Sequence, residues 1–223
     1  MERRSAHRDG ADKVCIICDL ILHEYGSVRP AILLGKKLVK DGWEVSVASV
    51  KISDKMKDYL LSLGIEPIDL DLIGDGDGYF SETWLKAWLQ EAIFGINSFK
   101  SRTLKGTKIL NFSQLIAIKS DIWYVQGPPS DALDDISSEF PRLTKLLYKA
   151  IRSFVNWLDS NLIRRIASLS KRVVANSNYC AKLYAKKGIK VSKVIYPPVD
   201  CSFFRPRTKE KEDYVLVYFG KAT

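Results

Sequence analysis

Histidine is nearly missing from this chain: two occur in 223 residues, His7 and His23. No Ser/His/Asp or Cys/His arrangement is legible around them. Cysteine is scarce as well. Of the four, Cys15 and Cys18 form "CIIC" inside the apolar run "VCIICDLIL", where strand alternation sends the two side chains to opposite faces. The second half of a four-cysteine zinc site is absent, so these are expected to be structural thiols of a reducing cytoplasm, and no metal site is expected. No uncharged apolar run reaches the roughly 18 residues of a membrane-spanning helix. The basic start "MERRSAHR" does not open a secretory signal, because Asp19 interrupts the apolar run and no small-residue cleavage site follows. Neither GxGxxG nor GxxxxGK[ST] occurs, which removes support from a nicotinamide dehydrogenase and a P-loop NTPase. Internal repeats and low-complexity segments are also lacking.

What is present is 46% hydrophobic content, enough for one substantial core, and a surplus of base. Lys plus Arg number 35 against 26 acids, a net charge of +9. Such a balance favours anionic partners: phosphates, nucleic acid or an acidic membrane surface.

Strand-like runs alternate with helical ones. "KVCIICDL" precedes a helix over 29–40, "WEVSVASV" precedes one over 53–63, and "IEPIDLDL" follows. An aromatic helix is expected from about 80 to 99, then strands at "KILNFS" and "DIWYVQG", a long helix over 142–169, "RVVAN", a short helix and "KVIYP". This pattern predicts an α/β fold, a Rossmann-like parallel sheet with helices on both faces.

Such sheets bind ligands beyond the carboxyl ends of their strands. The first of these loops, "HEYGSVRP", puts Gly26 just before a helix whose first turn holds Arg29 and Pro30. A helix start of that kind attracts a phosphate, although a simple left-handed turn would use the glycine equally well. His23 lies in the same loop, where an ordinary surface histidine is the alternative. In "DLIGDGDGYFSE", Asp71, Asp75, Gly76 and Glu82 fit an EF-hand register, but Ile73 cannot ligate and no helix precedes it, so a glycine-rich surface loop is expected.

Two amphipathic stretches follow. Phe80, Trp84, Leu85, Trp88, Leu89, Ala92, Ile93 and Ile96 recur at helical spacing, as do Leu143, Leu146, Leu147, Ile151, Phe154, Val155, Leu158, Leu162 and Ile166. Basic residues Arg142, Lys145, Lys149, Arg152, Arg164 and Arg165 accompany the second stripe. Either helix packs on the sheet with a solvated outer face, or it lies at an anionic lipid surface.

The final third reads "KRVVANSNYCAKLYAKKGIKVSKVIYPPVDCSFFRP": a strand, Asn176 and Ser177 at a helix cap, a helix closed by Gly188, a strand, and a proline-rich passage. This resembles the end of the N-terminal domain in glycosyltransferase family 4, the retaining GT-B enzymes. Upstream, "GSVRPAILLGKKLVKDGWEV" is similar to the family's first helix and second strand. The likeness covers most of 13–219 and is weakest over 72–120.

The resemblance implies three segments. Residues 1–12 are a flexible tail, 13–206 the acceptor-side Rossmann-like domain, and 207–223 a linker with the first strand of a second, nucleotide-binding domain that this chain does not contain. It implies further that Gly26 approaches the donor diphosphate, with Tyr25 in place of a first glycine, and that Lys221 in "FGKAT" neutralises the same group. Tyr25, Arg29 and His23 border the acceptor cleft. Gln126, in "VQGPP", stands where many members carry a histidine near the reacting sugar. It can donate a hydrogen bond but cannot carry a proton, and an ordinary loop side chain is the other reading.

The implied function is transfer of a sugar from a nucleotide-sugar donor, with no cofactor, to a glycan or lipid-linked acceptor. "YPPVD" is similar to the form in mannosyltransferases that extend lipid-linked glycans. Alone, the chain is expected to be a poor catalyst or none, and a separate chain is one source for the missing domain. The expected location is the cytoplasm, with peripheral contact at the inner face of the membrane. Nucleic acid is not expected as a partner of the transferase. The competing reading is a non-catalytic basic module for anionic lipid or nucleic acid, in which RNA or liposome binding weakens with salt.

Overall fold

A computed structural model describes residues 12–24, 26–70, 80–94, 106–199 and 201. The first strand, β1 (Lys13–Ile21), is buried along nearly its whole length, as a strand covered on both faces must be. Cys15 packs into one core cluster and Cys18 into the other, on opposite faces of the sheet. "CIIC" is therefore a pair of core thiols, each raised in pKa by burial, and all four cysteines are outside disulfides.

After β1 come α1 (Arg29–Lys40), β2 (Glu44–Ile52), α2 (Asp54–Ser62), β3 (Ile65–Asp69), α3 (Phe80–Phe94), β4 (Lys108–Asn111) and β5 (Ile122–Val125). Then follow α4 (Pro129–Ile136), a short 3-10 turn at Ser137–Glu139, α5 (Arg142–Leu169), β6 (Val173–Ala175), α6 (Asn178–Lys186) and β7 (Lys193–Val194). The strands form one seven-stranded sheet in the order β3-β2-β1-β4-β5-β6-β7, every pair parallel. The order reverses between β1 and β4, which defines the topological switch point.

Helices α1 and α2 cover one face through Ala31, Ile32, Met56 and Leu60. Helices α3, α5 and α6 cover the other through Trp88, Leu158, Ile166 and Tyr184. Gly35 lets α1 settle closely on the sheet: a Cβ there would sit 3.0 Å from Ile65 Cδ1. Trp123 at the centre of β5 is fully buried. Its Nε1 donates to the Ser113 carbonyl at 2.8 Å, and its ring meets Tyr184 edge-on at 5.4 Å.

Three features depart from the sequence expectations. Helix α4 arises where no element was predicted. The long helix is bounded as expected, but its apolar stripe splits: Val155, Leu158, Leu162 and Ile166 are buried, while Leu143, Leu146, Leu147, Ile151 and Phe154 are exposed. On α3, similarly, Trp88 is buried and Leu85, Leu89 and Ile93 are exposed. The split in α5 follows the helix wheel: at 100° per residue the buried Val155, Leu158, Leu162 and Ile166 centre about 90° round the helix from the exposed positions, so the core faces a different sector from the stripe of the first half. No helix among the described residues is long and apolar enough to cross a membrane.

Candidate functional site

The loops at the carboxyl ends of β1, β4, β5 and β6 are joined by a row of polar contacts. Gln126, directly after β5, donates its Nε2 to the Ser27 carbonyl at 2.9 Å and lies 3.5 Å from the Phe112 carbonyl past β4. Asn176, directly after β6, donates its Nδ2 to the Gln126 carbonyl at 3.4 Å, and Ser177 donates to Asn176 Oδ1 at 2.9 Å. Gly127, at φ 137°, turns the chain away beside Gln126 in a conformation that side chains disfavour. The edge is thus held as one unit across four strands.

Asp19, near the end of β1, supports it from below. Its carboxylate accepts from the Ser113 hydroxyl and from the backbone N–H groups of Gln114 at 3.0 Å and Leu115 at 3.1 Å. Burial pushes its pKa up, and these donors act in the opposite sense. Gln114 is fixed in turn by the Tyr184 hydroxyl, which donates to its Oε1 at 2.5 Å. Residues 113–115 therefore hang on β1 and α6 together.

Helices α1, α4 and α6 all start at this edge, and their amide ends are treated differently. At α6 the Ser177 hydroxyl accepts from Cys180 N–H at 3.1 Å. At α4 the position is filled by Asp159, which accepts from the Ser130 N–H at 3.1 Å and its hydroxyl at 2.5 Å. Lys187 balances that buried carboxylate, 3.9 Å from Asp159 and 2.9 Å from Asp131. At α1 no side chain caps the helix and no acid lies in its first turn. Pro30 occupies that turn without forfeiting a helical bond.

The start of α1 accordingly keeps its positive dipole end facing the switch point. Gly26 beside it has no described protein atom within 4 Å of where a Cβ would stand. Arg29 is half exposed, 3.8 Å from Glu24. His23 and Glu24 are exposed on the same loop.

Of the residues singled out from sequence, the fold brings Gly26, Arg29, His23 and Gln126 to one sheet edge. Tyr25, Lys221 and the 71–79 loop lie outside the described residues. Gln126 is drawn into the backbone of its neighbours, which makes it a positioning residue for the Gly26 loop. Sequence reasoning missed Asp159, Ser130 and Asp19, whose partners are far along the chain. Among the described residues, no three His, Cys, Asp or Glu side chains cluster to hold a metal. Beside α1, an apolar groove of about 370 Å³ runs along Leu34, Leu110, Ile122, Tyr124 and Tyr196.

The fold and this edge define a doubly wound, Rossmann-like α/β domain whose strand order reverses between β1 and β4, the place where sheets of this kind bind ligands. The sequence matches no family model and no curated protein.

Proposed function

We propose that this domain is the acceptor-side half of a retaining sugar transferase like those of glycosyltransferase family 4. The observation that carries the reading is the start of α1 at the switch point: no described side chain caps it, no acid lies in its first turn, and the space where a Cβ of Gly26 would stand is open. In this reading the donor's diphosphate takes that place. The N–H groups of the Gly26 loop and the helix dipole meet its negative charge, with Arg29 alongside. A nucleotide-sugar donor, carrying mannose by analogy of "YPPVD", reacts with a hydroxyl of a glycan or lipid-linked acceptor.

In that reaction the acceptor oxygen forms the new bond to the anomeric carbon. The bond from that carbon to the diphosphate oxygen breaks, and the nucleoside diphosphate leaves with the electron pair. The acceptor's hydroxyl proton is released. Charge growing on the leaving diphosphate is what a preorganised amide end stabilises. Gln126 holds the loop in position and transfers no proton. His23 and Tyr25 border the acceptor side, Lys221 adds a cation to the diphosphate, and the nucleotide is held by a second domain. The buried thiols suit a cytoplasmic setting.

Inorganic pyrophosphate titrated into the chain, with backbone amide shifts followed by NMR, tests the reading. The largest shifts are expected at Gly26 to Ala31, with a clear loss in Gly26→Val. Shifts spread evenly over the lysine-rich surface, or no saturable shift at the α1 start, would sink the proposal.

A further inference from the structure

The first half of α5 carries an apolar face that, among the described residues, nothing covers. Leu143, Leu146, Leu147, Ile151, Phe154 and Trp157 are 70%, 66%, 60%, 53%, 56% and 57% exposed. At 100° per residue they fall within one sector of about 140°. Phe154 and Trp157 stack there with ring centroids 6.0 Å apart. Over the same stretch, only Tyr148 of residues 142–154 is buried.

The charges beside this face are of one sign. Helix α5 contains a single acid, Asp159, and it is fully buried. Arg142 and Lys149 border the stripe, while Lys145 and Arg152 lie on the far side of the helix, Lys145 3.4 Å from the Ser138 carbonyl and Arg152 paired with Asp134 of α4 at 2.7 Å. A second copy packed on the same stripe would cover the apolar side chains but offer Arg142 and Lys149 no exposed carboxylate from α5. A surface rich in phosphate meets both halves of the pattern, since apolar side chains enter the headgroup boundary while Lys and Arg stay at the anions.

Position adds a consequence. Ser130, in the first turn of α4 after β5, bonds to Asp159, so the N-terminal half of α5 lies toward the carboxyl end of the sheet. It projects on the same end of the sheet as Gly26 and Gln126.

We propose that the N-terminal half of α5 seats this protein on an anionic lipid bilayer. The seat does not depend on sugar transfer: vesicle binding and the pyrophosphate shifts can fail separately.

The test uses the full 223-residue chain with vesicles of mixed phosphatidylglycerol and phosphatidylcholine, and with phosphatidylcholine alone. Sedimentation gives the bound fraction. Leu146→Glu with Leu147→Glu alters two exposed positions, and unchanged circular dichroism melting confirms that the fold survives. Leu61→Glu, an equally exposed leucine on α2, is the control. Binding to the anionic vesicles is expected, weaker at high salt, and reduced at least about tenfold by the double variant but not by the control. Trp157→Phe should bind while losing most of the lipid-induced blue shift in emission. Equal binding by wild type and double variant, no binding to anionic vesicles, or a dimer that the double variant dissociates would overturn the proposal. Selective capture of RNA that the vesicles do not displace would also overturn it.

Discussion

Replacing Glu91 by Gln should make the fold less sensitive to pH, and the size of the effect can be worked from the seam between α3 and α5. Glu91 is 8% exposed, its Oε1 has no hydrogen-bond partner, and the nearest cation, Arg165 Nη1, is 3.8 Å away. Burial raises its pKa from 4.5 to about 7, with Arg165 and the backbone at Ala117 acting downward. A carboxyl whose pKa is higher in the fold than in the unfolded chain is bound more tightly to its proton when folded. Below pH 4.5 both states are protonated and nothing is lost. Between 4.5 and about 7 the unfolded chain gives up a proton that the fold keeps. Stability then falls by about 1.4 kcal/mol per pH unit. Above that window the whole penalty, at most about 3 kcal/mol, is in force. Gln carries no such penalty. Urea unfolding followed by circular dichroism from pH 4 to pH 8 should show wild type and Glu91→Gln converging at the acid end, with the variant ahead by about 1 to 3 kcal/mol at pH 8. Arg165→Gln should leave the onset of the loss unchanged but extend it to higher pH and deepen it, because it removes a cation that favours the carboxylate. A constant gap between wild type and Glu91→Gln at every pH would refute the assignment of a raised pKa to this seam.

Asp159→Ala strands the Ser130 donors and leaves Lys187 with Asp131 alone, so a loss of about 3 to 5 kcal/mol is expected in urea unfolding, with faster amide exchange in the first turn of α4. Gln126→Ala should cost about 1 kcal/mol and weaken the pyrophosphate shifts at Gly26. Gln126→Glu should weaken them more, since a carboxylate would face the Ser27 and Phe112 carbonyls; a Glu variant that outperforms wild type in sugar transfer would show a proton-carrying role instead. Under iodoacetamide at pH 8, Cys201 should react first, while Cys15, Cys18 and Cys180 wait for unfolding, because they are buried and burial raises their pKa.

The strand and helix order was legible because each element has its own period: near-continuous apolar runs for β1 and β2, and a 3.6 repeat for α1 and α5. The bounds 29–40 and 142–169 coincide with the observed helices. Long-range polar partners have no period and leave no local trace. Gln126 meets Ser27 across 99 positions and Asp19 meets Ser113 across 94, so the one read as a cleft residue and the other as an interruption in an apolar run. Helix α4 was missed for the same reason. Pro128, Pro129 and the acids after them look like a turn, and the group that satisfies the helix start, Asp159, comes from another element.

The stripe on α5 shows the limit from the other side. Periodicity found the apolar positions from Leu143 to Ile166 but ran two neighbouring faces together, an exposed one in the first half and a buried one in the second, about 90° apart on the helix. Whether a face is buried depends on how far the sheet extends beneath it, and β5 and β6 are only four and three residues long. A helix of 28 residues, about 42 Å, outruns strands of that length several times over. The surplus could have been used for a charged, solvated arm, as helices that project into water ordinarily are. Instead it keeps leucine, isoleucine and phenylalanine on one side and bases on the other, a pattern that water alone does not favour and that an anionic surface does.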